Sequence, residues 1–187
     1  LRIPAGAVVG FVGANGAGKT TLVDQLSGLL APQSGRVEID GVMLDDGNRG
    51  AWQSAIAYVP QSVFLCDSTL AENIALGVPA AQIDRNRLHA VVRLARLEEC
   101  VAALPNGYDE PLGERGARLS GGQRQRLGIA RALYRDASVL IMDEATSALD
   151  AAAERDITDM LAQRRQERTI LLIAHRLSAL RHCDMIY

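Results

Sequence analysis

A glycine-rich stretch near the start of the chain carries the most specific chemistry in the sequence. Residues 13–21 read GANGAGKTT and satisfy the pattern G-x-x-x-x-G-K-S/T, after a short apolar run and before apolar residues at helical spacing. Glycines let a backbone wrap around phosphate oxygens with its N–H groups pointing inwards, and the positive end of a following helix adds to the attraction. The sequence therefore predicts a phosphate-binding loop between a strand and a helix. Its residues are Gly13, Ala14, Asn15, Gly16, Ala17, Gly18, Lys19, Thr20 and Thr21.

Lys19 in this loop is the only lysine in the chain, because every other member of the 20 Lys and Arg residues is an arginine. An ammonium is a compact charge, whereas the guanidinium fork of arginine is too bulky for a closed phosphate cradle. We therefore expect Lys19 to reach the β- and γ-phosphates of a nucleoside triphosphate. The hydroxyl of Thr20 is predicted to bind Mg²⁺.

Two carboxylates follow the apolar run at residues 139–142. The end of a strand beside a phosphate loop is the expected place for an acid that anchors Mg²⁺, and Asp143 fits that role. Glu144 is predicted to hold or deprotonate the attacking water, because phosphoryl transfer depends on positioning and charge neutralisation more than on covalent help.

His175 follows another apolar run, residues 170–174, and should emerge at the same edge of the sheet as Glu144. We expect this imidazole to contact the γ-phosphate. The alternative is a capping or packing role, which is the usual one for a lone histidine.

A second glycine pair begins another predicted helix in the stretch Leu119, Ser120, Gly121, Gly122 and Gln123. Free N–H groups and a serine hydroxyl at a helix start form a second anion-receptive site. Because Lys19 and Ser120 are far apart in the sequence and lie in different predicted lobes, the simplest use is that each faces the nucleotide of a partner chain. In the plainer alternative Ser120 only caps its helix and the glycines form a tight turn.

Composition indicates one ordinary folded domain, with 48% apolar and 22% charged residues in 187. The formal net charge of −2 excludes a large positive field of the kind that attracts nucleic acid or an anionic membrane. The longest nearly apolar stretch, residues 4–14, is much shorter than the about 20 residues of a membrane-spanning helix. We therefore expect neither nucleic-acid binding nor direct membrane insertion.

Strands that alternate with helices predict an α/β fold with a mostly parallel sheet and with sites at the carboxyl ends of its strands. The stretches 37–44 and 56–59 are strand-like, and we expect them to form a small sheet beside the first strand. Helical spacing from residue 70 to residue 104 predicts a helical lobe. The chain opens on Leu1 rather than Met and stops at Tyr187 within an apolar run, as expected for part of a longer polypeptide.

Taken together, these motifs resemble those of the nucleotide-binding domains of ATP-binding cassette (ABC) transporters, over nearly the whole chain. The resemblance rests on six motifs in the order of the family. They are Walker A (13–21), the glutamine loop (Gln61), the LSGGQ signature (119–123), Walker B (139–144), the loop 147–150 and the switch histidine (His175).

The resemblance implies a P-loop NTPase core of RecA type, formed by residues 1–65 and 136–187 with part of a β-subdomain. An inserted α-helical subdomain, residues 66–135, would end in the signature helix. It also implies two such domains that meet head to tail around two ATP molecules.

The resemblance further implies a role for each motif residue. Lys19, Thr20 and the loop glycines would hold the triphosphate. Gln61 and Asp143 would bind Mg²⁺, Glu144 the water and His175 the γ-phosphate. Ser120 and Gly122 of the opposite chain would close each site, and Asp150 would connect the two sites across the interface.

Two stretches resemble the exporter branch of the family, residues 63–69 with 72–74, and residues 107–109 with 113–116. Their presence implies contact with a transmembrane domain, fused or separate, at the cytoplasmic face of a plasma or inner membrane. The plainer alternative for 113–116 is a polar surface loop. Cys66 departs from the pattern, because exporters often carry an aromatic residue there.

Two other classes are weaker interpretations. A soluble ABC ATPase of DNA repair, chromosome structure or translation is disfavoured, because the repair and chromosome proteins carry a long insertion between Walker A and the signature. A GTPase or small-molecule kinase would not explain the LSGGQ stretch, and the chain has no N-K-x-D guanine reader.

Overall fold

The computed structural model describes residues 1–14, 16–163, 167–174 and 176–187. In chain order the strands are β1 (Val8–Phe11), β2 (Glu38–Ile39), β3 (Val42–Met43), β4 (Ile56–Val59), β5 (Val139–Asp143), β6 (Thr169–Ile173) and β7 (Met185–Ile186). The α-helices are α1 (Lys19–Leu26), α2 (Arg49–Ser54), α3 (Leu70–Ile74), α4 (Arg85–Leu94), α5 (Glu98–Ala103), α6 (Gly121–Arg135) and α7 (Ala151–Gln163).

A five-stranded sheet in the order β4-β5-β6-β1-β7 forms the centre of the structure, and each neighbouring pair runs parallel. The strands β1 and β5 are buried along their whole length, as expected for a parallel sheet covered on both faces. Phe11 and Asp143 both pair with Ile173, so these three strands end at the same level. The predicted α/β class is confirmed.

The stretch 56–59 does not belong to a small separate sheet, so that prediction was wrong. It forms β4, at the edge of the main sheet, where Ile56 pairs with Val139 of β5. Ile56, Ala57 and Val59 are buried, and apolar side chains on both faces suit a parallel sheet better than a surface hairpin. The small sheet is only the β2–β3 hairpin around Asp40 and Gly41, whose φ angles are 51° and 80°.

The predicted helical stretch from residue 70 to residue 104 contains three separate α-helices and a short 3-10 helix (Ala80–Gln82), because the chain turns between them. Gly77 and Arg96 have φ angles of 86° and 54°, which a helix does not accommodate. Helices α3 and α4 pack against α6, which also contacts β4. The division into a core and an inserted helical subdomain stays a prediction. No helix in the described ranges is both long and apolar enough to cross a membrane.

Asn73, in α3, fixes the segment that runs from β4 to the helices. Its buried side chain accepts a hydrogen bond from the Cys66 N–H at 2.9 Å and donates to the carbonyls of Cys66 and Thr69 at 3.0 and 3.1 Å. Arg131 of α6 donates to the carbonyls of Asn73 and Phe64 at 2.8 and 2.9 Å. The exporter-like segment 63–69 is thereby tied to two helices.

We expect Asn73→Ala to lower the free energy of unfolding by about 2–4 kcal/mol, because it empties a fully buried position and leaves partly buried backbone groups without partners. Asn48→Ala removes a partly exposed asparagine side chain that bonds to the Met43 carbonyl, and it should cost about 1 kcal/mol or less. Urea denaturation of the chain, followed by the fluorescence of Trp52, measures both values. Equal losses in the two variants would contradict the role given to Asn73.

Candidate functional site

The glycine-rich loop after β1 folds around the ammonium of Lys19. Lys19 Nζ donates hydrogen bonds to the carbonyls of Gly13 and Ala14 at 2.8 and 3.1 Å. Gly16 and Gly18 have φ angles of 80° and 92°, a conformation that favours glycine, although a Cβ at either position would meet nothing within 4 Å. Both glycines are therefore required by the path of the backbone rather than by lack of space. Asn15, predicted as part of this loop, lies outside the described residues.

The start of α1 suits an anion. The first hydrogen bond within the helix runs from the Leu22 N–H to the Gly18 carbonyl, so the N–H groups of residues 19–21 have no intrahelical acceptor. The first turn contains no acidic residue and has no side-chain cap. Thr20 and Thr21 are exposed in that turn. This turn offers free backbone N–H groups and an adjacent ammonium, and it contains no acid. Such a site suits a phosphate group.

Asp143 is the last residue of β5 and is only 8% exposed. The hydroxyl of Tyr58 in β4 donates a hydrogen bond to Asp143 Oδ2 at 2.8 Å. Burial raises the pKa of the Tyr58 phenol, and the carboxylate of Asp143 raises it further, so the phenol stays protonated and keeps donating. Tyr58 was not predicted as part of the site. Its position on the strand that flanks β5 becomes visible only from the sheet order.

Glu144 turns sharply away from β5, with a φ of 50°. Its N–H still bonds to the carbonyl of Ile173, at 3.0 Å, so the turn begins at the sheet edge. Gln61 Nε2, just after β4, donates to Glu144 Oε2 at 2.7 Å. The structure therefore brings together Gln61 and Glu144, two of the predicted site residues. The shared binding of Mg²⁺ by Gln61 and Asp143 stays a prediction.

The LSGGQ turn forms the start of α6 with a reciprocal cap. The Ser120 N–H donates to Gln123 Oε1 at 2.8 Å, and the Gln123 N–H donates to Ser120 Oγ at 3.2 Å. Leu119 is buried and anchors the turn, whereas Ser120 and Gly121 are exposed. The capping role of Ser120 is confirmed, and its contact with a nucleotide stays a prediction.

The loop 147–150 lies beside this turn. A Cβ on Gly122 would be 3.5 Å from the carbonyl oxygen of Ala148, within ordinary contact distance. Asp150 Oδ1 accepts hydrogen bonds from the N–H groups of Ala153 and Ala152 at 2.9 and 3.0 Å, in the first turn of α7. The Ala153 N–H, foremost, holds the pKa of Asp150 below its usual value. The predicted role of Asp150 between two sites stays a prediction.

A buried glutamine, Gln125, links these loops and was not predicted as part of the site. Its Nε2 donates to the Gln61 carbonyl and to Ser147 Oγ, and its Oε1 accepts from the Ala148 N–H. A signal was available, because Gln125 stands four residues before Ile129, on the apolar stripe of α6.

Glu154, a buried carboxylate in α7, was also missed. It accepts hydrogen bonds from Thr146 Oγ1 at 2.9 Å and from Ser178 Oγ at 3.0 Å, with Arg176 Nη1 at 3.7 Å. Arg176 also donates to the carbonyls of Leu149 and Ser147 at 3.3 and 3.4 Å. Glu154 and Arg176 therefore join the loop after β5 to the chain after β6. The intervening His175 lies outside the described residues, so its phosphate contact stays a prediction.

Comparison with known proteins supports one family. The family model described as ABC transporter matches residues 1–147. The ATP-dependent lipid A-core flippases of Ralstonia nicotianae and Cupriavidus pinatubonensis are 46% and 45% identical over 187 residues, which is 100% of this chain and 32% of each relative. The chain thus spans about a third of the length of these relatives.

A solved structure of a bacterial Atm1-family ABC exporter with ATP bound has the same fold. It superposes with a TM-score of 0.89 at 39% identity, over 97% of this chain and 32% of that one. Its α/β architecture agrees with the parallel sheet and helices described above. From the family match, the fold and the motifs at the edge of the sheet, we conclude that this chain belongs to the ABC transporter family.

Proposed function

We propose that this chain is the ATP-binding and ATP-hydrolysing domain of an ABC exporter, and that two copies act together on two ATP molecules. One observation carries the proposal. The Lys19 loop, Asp143 and the hydrogen-bonded pair of Gln61 and Glu144 share one edge of the parallel sheet. A cation for phosphates, a carboxylate for a metal and a carboxylate for water are thus close together, which is what phosphoryl transfer needs.

In this proposal ATP binds against the glycine-rich loop and the start of α1. Lys19 and the N–H groups of the first turn would hold the phosphate oxygens. Thr20, Asp143 and Gln61 would hold Mg²⁺ together with the phosphates, since Mg²⁺ takes few protein ligands when phosphates are present. The oxygen chemistry of these side chains fits that ion, which would neutralise charge on the phosphates. Within the described ranges, no group of three or more His, Cys, Asp or Glu side chains could hold a metal.

Glu144 would act on water. Its carboxylate, oriented by the 2.7 Å hydrogen bond from Gln61, would accept a proton from the water as the oxygen bonds to the γ-phosphorus. The bond from that phosphorus to ADP breaks in the same displacement, and phosphate leaves. His175 would contact the γ-phosphate, as the family motif implies.

The second copy would complete each site. Ser120 is exposed and Gly122 partly exposed at the start of α6, where Leu119, Gln123 and the loop 147–150 fix the geometry of the turn. An exposed, rigid turn with N–H groups is suited to the phosphates of an ATP held by another chain. Asp150, in the loop beside this turn, would connect the two sites.

We also propose a membrane partner. The relatives are about three times as long as this chain, which leaves room for a transmembrane domain, fused or separate. The segment 63–69 is held by Asn73 and Arg131 and presents Phe64, which is 68% exposed, as a contact for it. The working position would be the cytoplasmic face of a plasma or inner membrane.

Glu144→Gln in the whole protein should lower steady-state ATP hydrolysis by about 100-fold or more, because the amide cannot accept the proton. ATP binding should persist, since the phosphate loop is unchanged. Phosphate release measures the first effect and equilibrium ATP binding the second. The exposed Glu99→Gln is the matched control and should keep wild-type turnover. Unchanged hydrolysis in Glu144→Gln would remove this residue from its role.

Lys19→Ala should weaken Mg–ATP binding by about 10- to 100-fold, because a charged hydrogen-bond donor to the phosphates is lost. Lys19→Arg should also weaken it, since the wider guanidinium does not fit inside the loop. Calorimetric titration of the whole protein with a non-hydrolysable ATP analogue gives these constants. Arg36→Ala, which removes an exposed cation paired with Glu38, is the control. Wild-type affinity in Lys19→Ala would contradict the proposed site.

A further inference from the structure

Gln125 uses both ends of its amide in the interior of the protein, where it is only 4% exposed. Nε2 lies 3.2 Å from the Gln61 carbonyl oxygen and 3.3 Å from Ser147 Oγ, and Oε1 lies 2.9 Å from the Ala148 nitrogen. A carbonyl only accepts and an N–H only donates, so the chemistry of the partners fixes which way the amide points.

The three partners belong to loops with different tasks. Gln61 bonds to Glu144 in the site of its own chain. Gln125 is on the same helix as Ser120 and Gly122, about one turn after them. Ser147 and Ala148 begin the loop that reaches Asp150, and Ala148 also lies against Gly122. One side chain therefore joins the loop of one proposed ATP site to the turn that would serve the other.

We propose that Gln125 is a positioning residue that couples the two ATP sites of the pair, an inference that rests on the proposed function. When ATP moves Gln61 at one site, the buried amide transmits the shift to α6 and to the loop 147–150. The signature turn at the opposite site then changes its position. A contiguous hydrogen-bonded network between rigid elements is the physical basis for such coupling.

The fold of α6 does not depend on this amide. Leu127 and Ile129 are fully buried on the helix, and Arg131 ties it to α3. Gln125 instead holds exposed loop groups, those of Ser147 and Ala148, and its amide is the contact that joins them to the Gln61 carbonyl. Losing its hydrogen bonds should free the loops from each other while the helix stays in place.

The test measures ATP hydrolysis by the whole protein in lipid nanodiscs as a function of ATP concentration. The wild type should give a Hill coefficient approaching about 2, the number of coupled sites. Gln125→Met keeps the length of the side chain but neither donates nor accepts these bonds, and it should lower the Hill coefficient to about 1 and maximal turnover about tenfold. Gln125→Glu keeps only the acceptor for Ala148, and it should lose cooperativity as well.

Gln53→Met is the matched control. Its amide also donates to two backbone carbonyls, those of Ser27 and Gly28, but it is on α2, away from the three loops. This variant should keep the wild-type Hill coefficient. Ser147→Ala breaks one of the three bonds in an exposed loop, and it gives a variant that folds even if Gln125→Met does not. Like the Gln125 variants, Ser147→Ala should lower the Hill coefficient.

The outcomes separate the two proposals. A whole protein without ATPase activity overturns the proposed function. An active wild type with a Hill coefficient of 1 overturns the coupling role, as does wild-type cooperativity in Gln125→Glu and Ser147→Ala. Loss of cooperativity in the Gln125 and Ser147 variants, with Gln53→Met unchanged, supports it.

Discussion

Parallel pairing of four largely buried strands is the constraint on which the rest of this structure depends. Because β4, β5, β6 and β1 run in the same direction, the chain leaves all of them at one edge of the sheet. Asp143 and Phe11 both pair with Ile173, so β5 and β1 end at the same height in the sheet. The phosphate loop, the two carboxylates and Gln61 are therefore neighbours in space although they are far apart in the sequence.

Sharp backbone turns at this edge determine how the residues that follow the strands are placed. Gly18 precedes α1 with a φ of 92°, and Glu144 leaves β5 with a φ of 50°. Hydrogen bonds then hold these side chains in place. Lys19 bonds to its own loop, and Gln61 bonds to Glu144. A side chain held by its neighbours needs little rearrangement to meet a substrate, which favours catalysis by positioning.

Hydrogen bonds of buried polar groups extend the site into the helical part of the chain. Gln125 connects α6 to the loops around Gln61 and Ser147, and Glu154 connects the loop after β5 to the chain after β6. Buried amides and carboxylates are costly unless they are paired, so these contacts fix the loops in specific positions. The turn at Ser120 and the carboxylate of Glu144, which we propose to be catalytic, are thereby parts of one connected structure.

The sequence predicted features whose signal is local. The glycine-rich loop, the acids after β5 and the cap at Ser120 each lie in a few consecutive residues with a clear backbone requirement. The place of β4 in the main sheet has no such local signal. The same holds for the contacts of Tyr58, Gln125 and Glu154. Gln125 meets the Gln61 carbonyl across 64 positions, and Gln61 meets Glu144 across 83, so both contacts depend on strand order and helix packing.

The central claim is that ATP held by the Lys19 loop of one copy is closed by the Ser120 turn of another. The most direct measurement is a structure of the whole protein carrying Glu144→Gln, determined in the presence of Mg–ATP. We predict that the γ-phosphate contacts Lys19 of one chain and Ser120 and Gly122 of the other. Two chains bound to ATP with their Ser120 turns directed away from each other's nucleotide would contradict it.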